Sequence, residues 1–277
     1  FEDNRLLYLS YVKPGPDSLG SLAVARGRYE NGRLNGIEEI FHAKAHGNGS
    51  ERSSMWGGRI ALDGNGHVYV TLGDRQWPSS GDLWSHAAQD LTNHNGVTVR
   101  LYDDGRIPDD NPLVGREDAR PEIWTWGHRN AQGLAVHPET GDLWSNEHGP
   151  QGGDEINLLQ GGSNYGWPVV GYGVNYRTGL AIHHGTQQDG MDDPSHIWVP
   201  SIGVSGMIFY TGEAFPEWRG DMFVGGLSGE RLVRLRIEGQ EIVSEEVILQ
   251  GVGRIREVQQ GIDGFIYLAI DLSLIHI

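Results

Sequence analysis

Short strand-like segments rich in hydrophobic residues recur along the whole chain, each after a glycine or Asp-Gly turn. Five of them carry an aromatic residue near the middle: NRLLYLSYV (4–12), DGNGHVYVTLGD (63–74), ETGDLWSNEHG (139–149), RGDMFVGGL (219–227) and DGFIYLAID (263–271). Further strand-like segments lie between them, such as SLAVARGRY, VTVRLY, RLVRLRI and EIVSEEVIL. No segment shows convincing helical periodicity, so the pattern predicts an all-β protein.

The central aromatic residues of the five segments indicate a structural repeat. Steps of roughly 45 to 80 residues, typical of a repeat with variable loops, separate Tyr8, Tyr69, Trp144, Phe223 and Tyr267. We therefore predict a β-propeller, in which each blade is a four-stranded antiparallel sheet, with a β-sandwich as the main alternative. Because no linker-like break in composition occurs, residues 1–277 are expected to form one domain with a loop-rich insertion at 171–200.

Composition supports this class and narrows the possible ligands. The chain has 42 glycines among 277 residues, and glycine supplies the positive φ angles that tight turns require. A net charge of −16 disfavours nucleic acid and an anionic membrane surface as partners. No apolar run approaches the roughly 20 residues that span a bilayer, so membrane insertion is not expected. Without cysteine, the chain has neither disulfides nor thiolate metal ligands.

The sequence at both ends of the chain looks like a domain that is cut off within an element of secondary structure. The first residues lead directly into a strand-like segment, so the chain is expected to begin within a domain. After GFIYLAID, the tail LSLIHI (272–277) contains neither a turn nor a polar cap. We expect this tail to be foreign or truncated sequence.

Residues 126–168 form the stretch richest in candidate chemistry. Arg129 and Asn130 occupy a glycine-bounded turn between a strand that ends at Trp126 and another that begins near Leu134. A guanidinium beside an amide at a strand end offers several fixed donors to an anionic or carbonyl-rich ligand. The simpler interpretation is an arginine paired with a surface carboxylate.

The loop NEHGPQGGDEIN, in the same stretch, is rich in oxygen ligands. It contains Glu147, Asp154 and Glu155 together with the carbonyls of a Gly-Pro pair. Calcium prefers six to eight oxygen atoms from carboxylates and backbone carbonyls, although the ligand spacing of an EF-hand is absent. The sequence predicts either a calcium-binding loop or a solvated acidic turn.

Zinc and nucleophile chemistry have less support. The spacing of His128, His137 and His148 crosses two predicted strands or loops and matches no compact zinc pattern. No Ser-His-Asp order, Walker loop or dinucleotide fingerprint stands out. Hydrolase and nucleotide-binding functions are therefore not predicted.

Arg254 and Arg256, in the segment GRIREV, lie two residues apart. On a strand, side chains at this spacing point to the same face. Two neighbouring guanidinium groups suit a ligand with more than one carboxylate, whereas the alternative is a solvated strand face.

Several motifs in a fixed order resemble the soluble PQQ-dependent sugar dehydrogenases, and most closely the aldose sugar dehydrogenase branch of the glucose/sorbosone dehydrogenase family. They are GHRNAQGLA, NEHGPQGGDEIN, NYGWP, VPSIGVSGMIFYTG, RLVRL and GRIREVQQG. The likeness extends along almost the whole chain. It implies a six-bladed propeller that binds pyrroloquinoline quinone (PQQ) and Ca²⁺, oxidises the anomeric carbon of aldoses to lactones, passes electrons to an external acceptor, and works in the bacterial periplasm.

The resemblance also assigns roles to individual residues. Arg129 and Asn130 are similar to the pair that contacts the quinone oxygens, with Arg129 also stabilising the oxyanion that develops during catalysis. Arg254 and Arg256 resemble the arginines that hold the carboxylates of PQQ. Gly149 and Pro150 resemble the residues whose carbonyl oxygens bind the catalytic calcium. Glu155 and the carbonyl of Tyr165 are similar to ligands of a second, structural calcium, for which Asp154 is a weaker candidate.

The chain departs from the family pattern at the catalytic base. The family carries a histidine where SSMWGGRI places Met55, and a thioether takes up no proton at neutral pH. Asp74, in TLGDR, resembles the acid that orients this histidine. The segment that precedes Phe1 in the family, with most of the first blade, is also missing, so the propeller is expected to be incomplete at its first blade and last strand. Because Met55 replaces the expected histidine, the alternative function is that of a non-catalytic propeller that binds a sugar, PQQ or a protein.

Overall fold

The computed structural model describes residues 4–15, 20–45, 47 and 54–271. Within these ranges the chain forms seventeen β-strands and three short 3-10 turns, with no α-helix. All pairings between these strands are antiparallel. The all-β prediction is therefore confirmed, whereas the tail predicted to be foreign, 272–277, lies outside the described residues. In the described part, no helix has the length and apolar character that a membrane crossing requires.

Three consecutive sheets in the middle of the chain share one topology. In each, four strands are hydrogen-bonded in the order in which they follow one another in sequence. Sheet 2 contains β4 (Gly57–Leu62), β5 (His67–Leu72), β6 (Val97–Tyr102) and β7 (Ile123–Trp126). Sheet 3 contains β8 (Ala131–Val136), β9 (Leu143–Glu147), β10 (Asp154–Leu159) and β11 (His196–Trp198). Sheet 4 contains β12 (Val204–Phe209), β13 (Met222–Gly226), β14 (Arg231–Glu238) and β15 (Glu241–Gln250).

Two smaller sheets flank these three in the described part of the chain. Sheet 1 contains β1 (Leu6–Lys13), β2 (Ser21–Glu30) and β3 (Arg33–His42), again in chain order. Sheet 5 is the hairpin of β16 (Arg254–Gln260) and β17 (Ile266–Asp271). The nine segments that the sequence pattern predicted as strands correspond to β1, β2, β5, β6, β9, β13, β14, β15 and β17.

The sheets pack side by side through their first strands. β4 contacts β8, β8 contacts β12, and β12 contacts β16. The second strands β5, β9 and β13 also contact the first strand of the next sheet, and β1 contacts β4 in the same way. Four-stranded meanders that follow one another in this order are typical of neighbouring blades in a β-propeller.

The aromatic positions that repeat in the sequence fall on equivalent strands of successive sheets. The five aromatic residues lie on β1, β5, β9, β13 and β17, which means on every fourth strand. Trp144 and Phe223 are completely buried, whereas Tyr267 is exposed on the last described strand. Sequence spacing is irregular because the loops differ in length; the connection between β10 and β11, for example, runs from 160 to 195.

The hydrophobic core lies between neighbouring sheets. One cluster joins sheets 1 and 2 through Val24, Phe41, Val70 and Val99, and another joins sheets 3 and 4 through buried residues that include Trp144. β5 is buried along nearly its whole length, because a neighbouring sheet covers each of its faces. Removal of apolar surface from water, at about 25 cal/mol per Å², is the main contribution to holding the sheets together.

One ion pair connects sheets that are not neighbours. Arg59 on β4 donates through Nη1 to the Oε2 atom of Glu257 on β16, and through Nε to the carbonyl oxygen of Gln132 on β8. Both charged side chains are less than one-third exposed. The guanidinium therefore links the first strands of sheets 2, 3 and 5 by directional bonds, in addition to their apolar packing.

We predict that Arg59→Ala lowers the free energy of unfolding by about 1 to 2 kcal/mol, because it leaves a half-buried Glu257 carboxylate without its partner. Arg116→Ala is the matched control, since Arg116 pairs on the surface with Asp118, two residues away. The control should change the free energy by about 0.5 kcal/mol or less. Urea unfolding monitored by tryptophan fluorescence measures both changes. Equal effects of the two substitutions would contradict the role given to Arg59.

Candidate cofactor and cation site

The chain topology brings distant loops to one end of the sheets. In an antiparallel meander, the loop after the second strand and the connection after the fourth strand emerge at the same end. The loops 73–96 and 148–153 follow second strands, and the turn 127–130 connects β7 with β8. Asp74, Arg129, Asn130, Gly149 and Pro150 lie at this end because of that alternation. Tyr165 comes instead from the long connection after β10, which returns to the end of β7 through the bridge of Asn164 with Trp126.

The turn between β7 and β8 holds Arg129 in place. Gly127 has φ +75°, and a Cβ atom there would lie 2.1 Å from Asn164 Oδ1, so the turn requires glycine. The backbone N–H of Arg129 donates to Glu147 Oε2 at 2.6 Å, and His128 contacts Glu147 Oε1 through Nδ1 at 2.8 Å. A single carboxylate at the end of β9 thus receives donors from two successive residues of the turn.

The side chain of Arg129 faces the acidic loop. Its Nη1 donates to the carbonyl oxygens of His148, at 3.1 Å, and Gly149, at 2.6 Å. The guanidinium also lies over the ring of Trp167, 5.3 Å from the centroid. Arg129 is only 8% exposed and bonds to backbone carbonyls. The simpler interpretation, an arginine paired with a surface carboxylate, therefore does not apply to it.

Glu147 and Glu155 form the acidic centre of the site. They are direct partners in the register between β9 and β10, so their side chains lie on the same face of the sheet. Asn157 Nδ2 donates to Glu147 Oε1 at 3.1 Å and to Glu155 Oε2 at 3.4 Å. Burial, and then the charge of Glu147, raise the pKa of Glu155 well above its ordinary value. Two opposed carboxylates of this kind favour a cation between them.

Asp154, the weaker metal candidate, bonds instead to backbone. Its Oδ1 accepts from the N–H of Gly149 at 3.1 Å, and its Oδ2 accepts from Gly203 at 2.6 Å and Val204 at 3.1 Å. This carboxylate therefore ties the acidic loop to the start of β12. Gly149 itself must be glycine, because a Cβ atom would lie 2.1 Å from the carbonyl oxygen of Gly153.

A small cavity of about 20 Å³ lies among these groups. Its walls bring together all four predicted calcium residues, namely Gly149, Pro150, Glu155 and Tyr165, with Arg129 and Glu147. A cavity of this size accommodates roughly one water-sized particle. Among the described residues, no three His, Asp or Glu side chains are placed to hold a metal, so cation binding here would depend on backbone carbonyls as well as the two carboxylates. That mixed oxygen set fits calcium.

A larger cavity of about 430 Å³ adjoins the small one and shares Arg129, Pro150 and Trp167 with it. Its other lining residues include Met55, Asp74, Gln76, Trp77, Tyr176 and Ile182. This volume falls within the range of small-molecule sites, and the mixture of aromatic walls with few charged groups is also typical of them.

Asp74 is a buried wall of the larger cavity. Trp167 Nε1 donates to its Oδ2 at 2.8 Å, and the backbone N–H of Gln76 donates to its Oδ1 at 2.9 Å. Burial raises the pKa of Asp74 to about 6. The acid predicted from TLGDR is therefore present in the cavity, and Met55 lines the same cavity.

Backbone strain is concentrated beside this cavity. Among the described residues other than glycine, six have positive φ, and three of the six are Met55, Arg75 and Gln76. Such conformations cost about 1 to 3 kcal/mol each and are found preferentially at functional sites. The strain supports the assignment of this cavity as functional.

Other predicted cofactor ligands lie outside both cavities. Asn130 is buried, and its Oδ1 accepts from Gly57 N at 3.3 Å and Gln132 Nε2 at 3.2 Å. Arg254 and Arg256 do share a face of β16, since both contact Asp271 Oδ2, but each is nearly half exposed. Burial lowers the pKa of His148, which lines the small cavity, and the charges of Arg129 and then Arg256 act in the same direction.

Sequence reasoning missed several lining residues. Trp167 belongs to the motif NYGWP, yet nothing in the motif indicates that its indole reaches Asp74. His183, Tyr172 and Tyr176 come from the segment 171–200, which was predicted only as a loop-rich insertion. No signal in composition marks this segment as a binding wall, because its aromatic residues, Tyr172, Tyr176 and Trp198, are about as frequent as in the rest of the chain.

Comparison with known proteins adds independent information. The family model for glucose/sorbosone dehydrogenase matches residues 1–274. Aldose sugar dehydrogenase YliI of Escherichia coli is 38% identical over 279 residues, which cover 99% of this chain and 72% of that protein. Quinoprotein glucose dehydrogenase B of Acinetobacter calcoaceticus is 37% identical over 131 residues, covering 42% of this chain and 26% of that protein.

Solved structures show the same relationship. A crystal structure of a glucose dehydrogenase superposes with a TM-score of 0.87 and 40% identity, covering 97% of this chain and 76% of that one. The PQQ-bound aldose sugar dehydrogenase of Streptomyces coelicolor, at 24% identity, shares the fold with a TM-score of 0.71 over 93% of this chain and 66% of that one. On the family match and the similarity to the Escherichia coli enzyme, this chain belongs to the glucose/sorbosone dehydrogenase family.

Proposed function

We propose that this protein binds PQQ and Ca²⁺ and oxidises the anomeric carbon of aldose sugars to lactones, passing the electrons to an external acceptor. The observation that carries the proposal is the pair of adjoining cavities. One is the size of a single ion and lined by opposed carboxylates, and the other has room for a small molecule. Arg129, Pro150 and Trp167 belong to both, so a cation and an organic cofactor would meet there.

The lining groups suit such a cofactor. PQQ carries three carboxylates and an ortho-quinone, and when bound it supplies a hydride acceptor whose carbonyl a calcium ion polarises. Arg129, which lines both cavities, would hold the quinone oxygens. For Asn130 at the quinone, and for Arg254 and Arg256 at the PQQ carboxylates, the support is the family resemblance, since these three residues lie outside both cavities. Arg129 would also stabilise the developing oxyanion, because its guanidinium is buried and already oriented by backbone carbonyls.

The metal assignment follows the same cavity. Glu155 and the Tyr165 carbonyl would hold a structural calcium in the ion-sized cavity. Gly149 and Pro150 would offer carbonyl oxygens to a catalytic calcium at the junction with the larger cavity, which Pro150 also lines. Glu147 lies opposite Glu155, which makes it a further candidate. We also propose a six-bladed propeller, formed by one domain, that functions in the periplasm or outside the cell.

The identity of residue 55 supports a second candidate function, binding without catalysis. Met55 stands where the family resemblance predicts the histidine base, and it lines the larger cavity. A propeller that binds PQQ, a sugar or a protein partner without turnover is consistent with that substitution.

Turnover after reconstitution separates the two functions. With PQQ and CaCl₂ added, we expect aldose-dependent reduction of an artificial dye, and no reduction when PQQ is omitted. PQQ binding without turnover, combined with a gain of turnover in Met55→His, would instead favour the binding function. Absence of PQQ binding in the presence of calcium would contradict the proposed enzyme and its cofactor site, and of the second function it would leave only the binding of a sugar or a protein partner.

The cation site predicts calcium-dependent stability. Because calcium would bind only the folded carboxylate pair, a concentration 100-fold above its dissociation constant should stabilise the native state by about 2.7 kcal/mol. Glu155→Gln should remove most of the resulting rise in Tm, whereas the exposed control Glu139→Gln should retain it. Differential scanning calorimetry with CaCl₂ or with a chelator measures the effect. A calcium response that is unchanged in Glu155→Gln would rule out Glu155 as a ligand.

The cofactor site predicts that Arg129→Ala weakens PQQ binding by about 10- to 100-fold, the loss expected for a buried charge-assisted hydrogen bond. Quenching of tryptophan fluorescence during PQQ titration measures binding. Arg116→Ala, on the surface and paired with Asp118, serves as the control and should bind PQQ like the wild type. Equal affinities of wild type and Arg129→Ala would contradict the assignment.

A further inference from the structure

The larger cavity contains a carboxylate beside the position that lacks a base. Met55 and Asp74 both line it, together with Arg129. Oxidation of a hydroxyl-bearing carbon requires a group that takes the hydroxyl proton, and a thioether does not take it at neutral pH. The following inference rests on the proposed function, since it concerns the proton in that reaction.

The hydrogen bonds of Asp74 leave acceptor capacity. Among the described residues, each carboxylate oxygen accepts one hydrogen bond, Oδ2 from Trp167 Nε1 and Oδ1 from Gln76 N. An ionised carboxylate offers about four lone-pair positions, so both oxygens retain room for a substrate hydroxyl. Because an indole N–H and a backbone N–H hold the carboxylate from two sides, its orientation toward the cavity is restricted.

The backbone around Asp74 is held in the same way. The N–H of Asp74 donates to the carbonyl oxygen of Arg129 at 2.8 Å, and its own carbonyl oxygen accepts from Asn95 Nδ2 at 3.1 Å. Arg75 and Gln76, the next two residues in the chain, both have positive φ angles, and this conformation brings the N–H of Gln76 to Asp74 Oδ1. The strained backbone that directly follows Asp74 thus helps to orient its carboxylate.

Four charged or titratable groups act on Asp74. The charge of Arg129 lowers its pKa and that of Glu147 raises it, while Arg75 is its neighbour in the chain and interacts with it electrostatically. His86 Nε2 lies 3.9 Å from Oδ2. Burial exceeds these effects and raises the pKa of Asp74 to about 6, so the group is mostly ionised at neutral pH yet basic enough to accept a proton.

We infer that Asp74 itself accepts the proton of the anomeric hydroxyl when the sugar is oxidised, in place of a histidine at position 55. The O–H bond breaks toward the Asp74 carboxylate, and its electron pair forms the C=O bond of the lactone. The anomeric hydrogen would leave with its own electron pair as hydride, for which bound PQQ would supply the two-electron acceptor. Asp74 then releases its proton to solvent.

His183 is the main competitor for this role. Its Nδ1 contacts the carbonyl oxygen of Pro168 at 2.7 Å, and its buried Nε2 has no hydrogen-bond partner among the described residues. His183 lines the small cavity, however, and not the larger one that contains Arg129 and Met55 together. The geometry therefore favours Asp74.

The first test uses the protein without cofactor. In ¹H–¹⁵N spectra, the indole N–H of Trp167, assigned with Trp167→Phe, should titrate with a midpoint near pH 6, because it donates to Asp74. This titration should disappear in Asp74→Asn and persist in Asp118→Asn, an exposed carboxylate control. A titration that persists in Asp74→Asn but vanishes in His86→Gln would assign the ionisation to His86 and overturn the inference.

The second test uses protein loaded with PQQ and calcium. Asp74→Asn should lower kcat for aldose oxidation at least 100-fold while changing PQQ affinity less than about threefold, and wild-type activity should rise as the pH increases through about 6. Asp118→Asn should behave like the wild type. Full turnover in Asp74→Asn, its loss in His183→Gln alone, or an inactive wild type that binds PQQ would each overturn the role of Asp74. If the wild type does not bind PQQ, the proposed function fails first, and the role of Asp74 fails with it.

Discussion

Two carboxylates that face each other, the buried Glu147 and the partly buried Glu155, impose the main constraint on this site. Glu147 and Glu155 are paired across β9 and β10, where like charges oppose folding unless other groups compensate. The compensation comes from His128, the backbone of Arg129 and Asn157, all bonded to Glu147. Glu155 has a weaker bond to Asn157 and faces the ion-sized cavity. The arrangement of the turn before β8 and the loop after β9 follows from this requirement.

From that acidic centre, directional bonds extend to the rest of the site. Arg129 connects it with the carbonyl oxygens of the loop and with the ring of Trp167, whose indole in turn orients Asp74. Asp154 connects the same loop with the start of β12. Residues from sheets 2, 3 and 4 are thereby held together at one end of the molecule. Loop residues hold fixed positions here because each is bonded to the end of a strand.

Much of the fold was predictable because a turn and the short strand after it are local features. The segments around Tyr69 and Trp144, each with an aromatic residue near its middle after a glycine-containing turn, became the strands β5 and β9, which are buried along nearly their whole length. Within the site, Gly149 and Pro150, predicted for one calcium, and Glu155 and Tyr165, predicted for a second, line the same cavity. The contact between Asp74 and Trp167 was not predictable, because it joins residues 93 positions apart in the chain.

The sequence by itself determined the all-β class, the repeat of strands and the motifs of the glucose/sorbosone dehydrogenase family, since these depend on neighbouring residues. It also identified Met55 as a departure from the family pattern. Only the tertiary structure decided that Asp154 bonds to backbone, that Asp74 borders the cavity of Met55, and that Arg254 and Arg256 pair with Asp271. Burial and the approach of distant strands decide which carboxylates are available to a ligand, and neither property is present in a local pattern of residues.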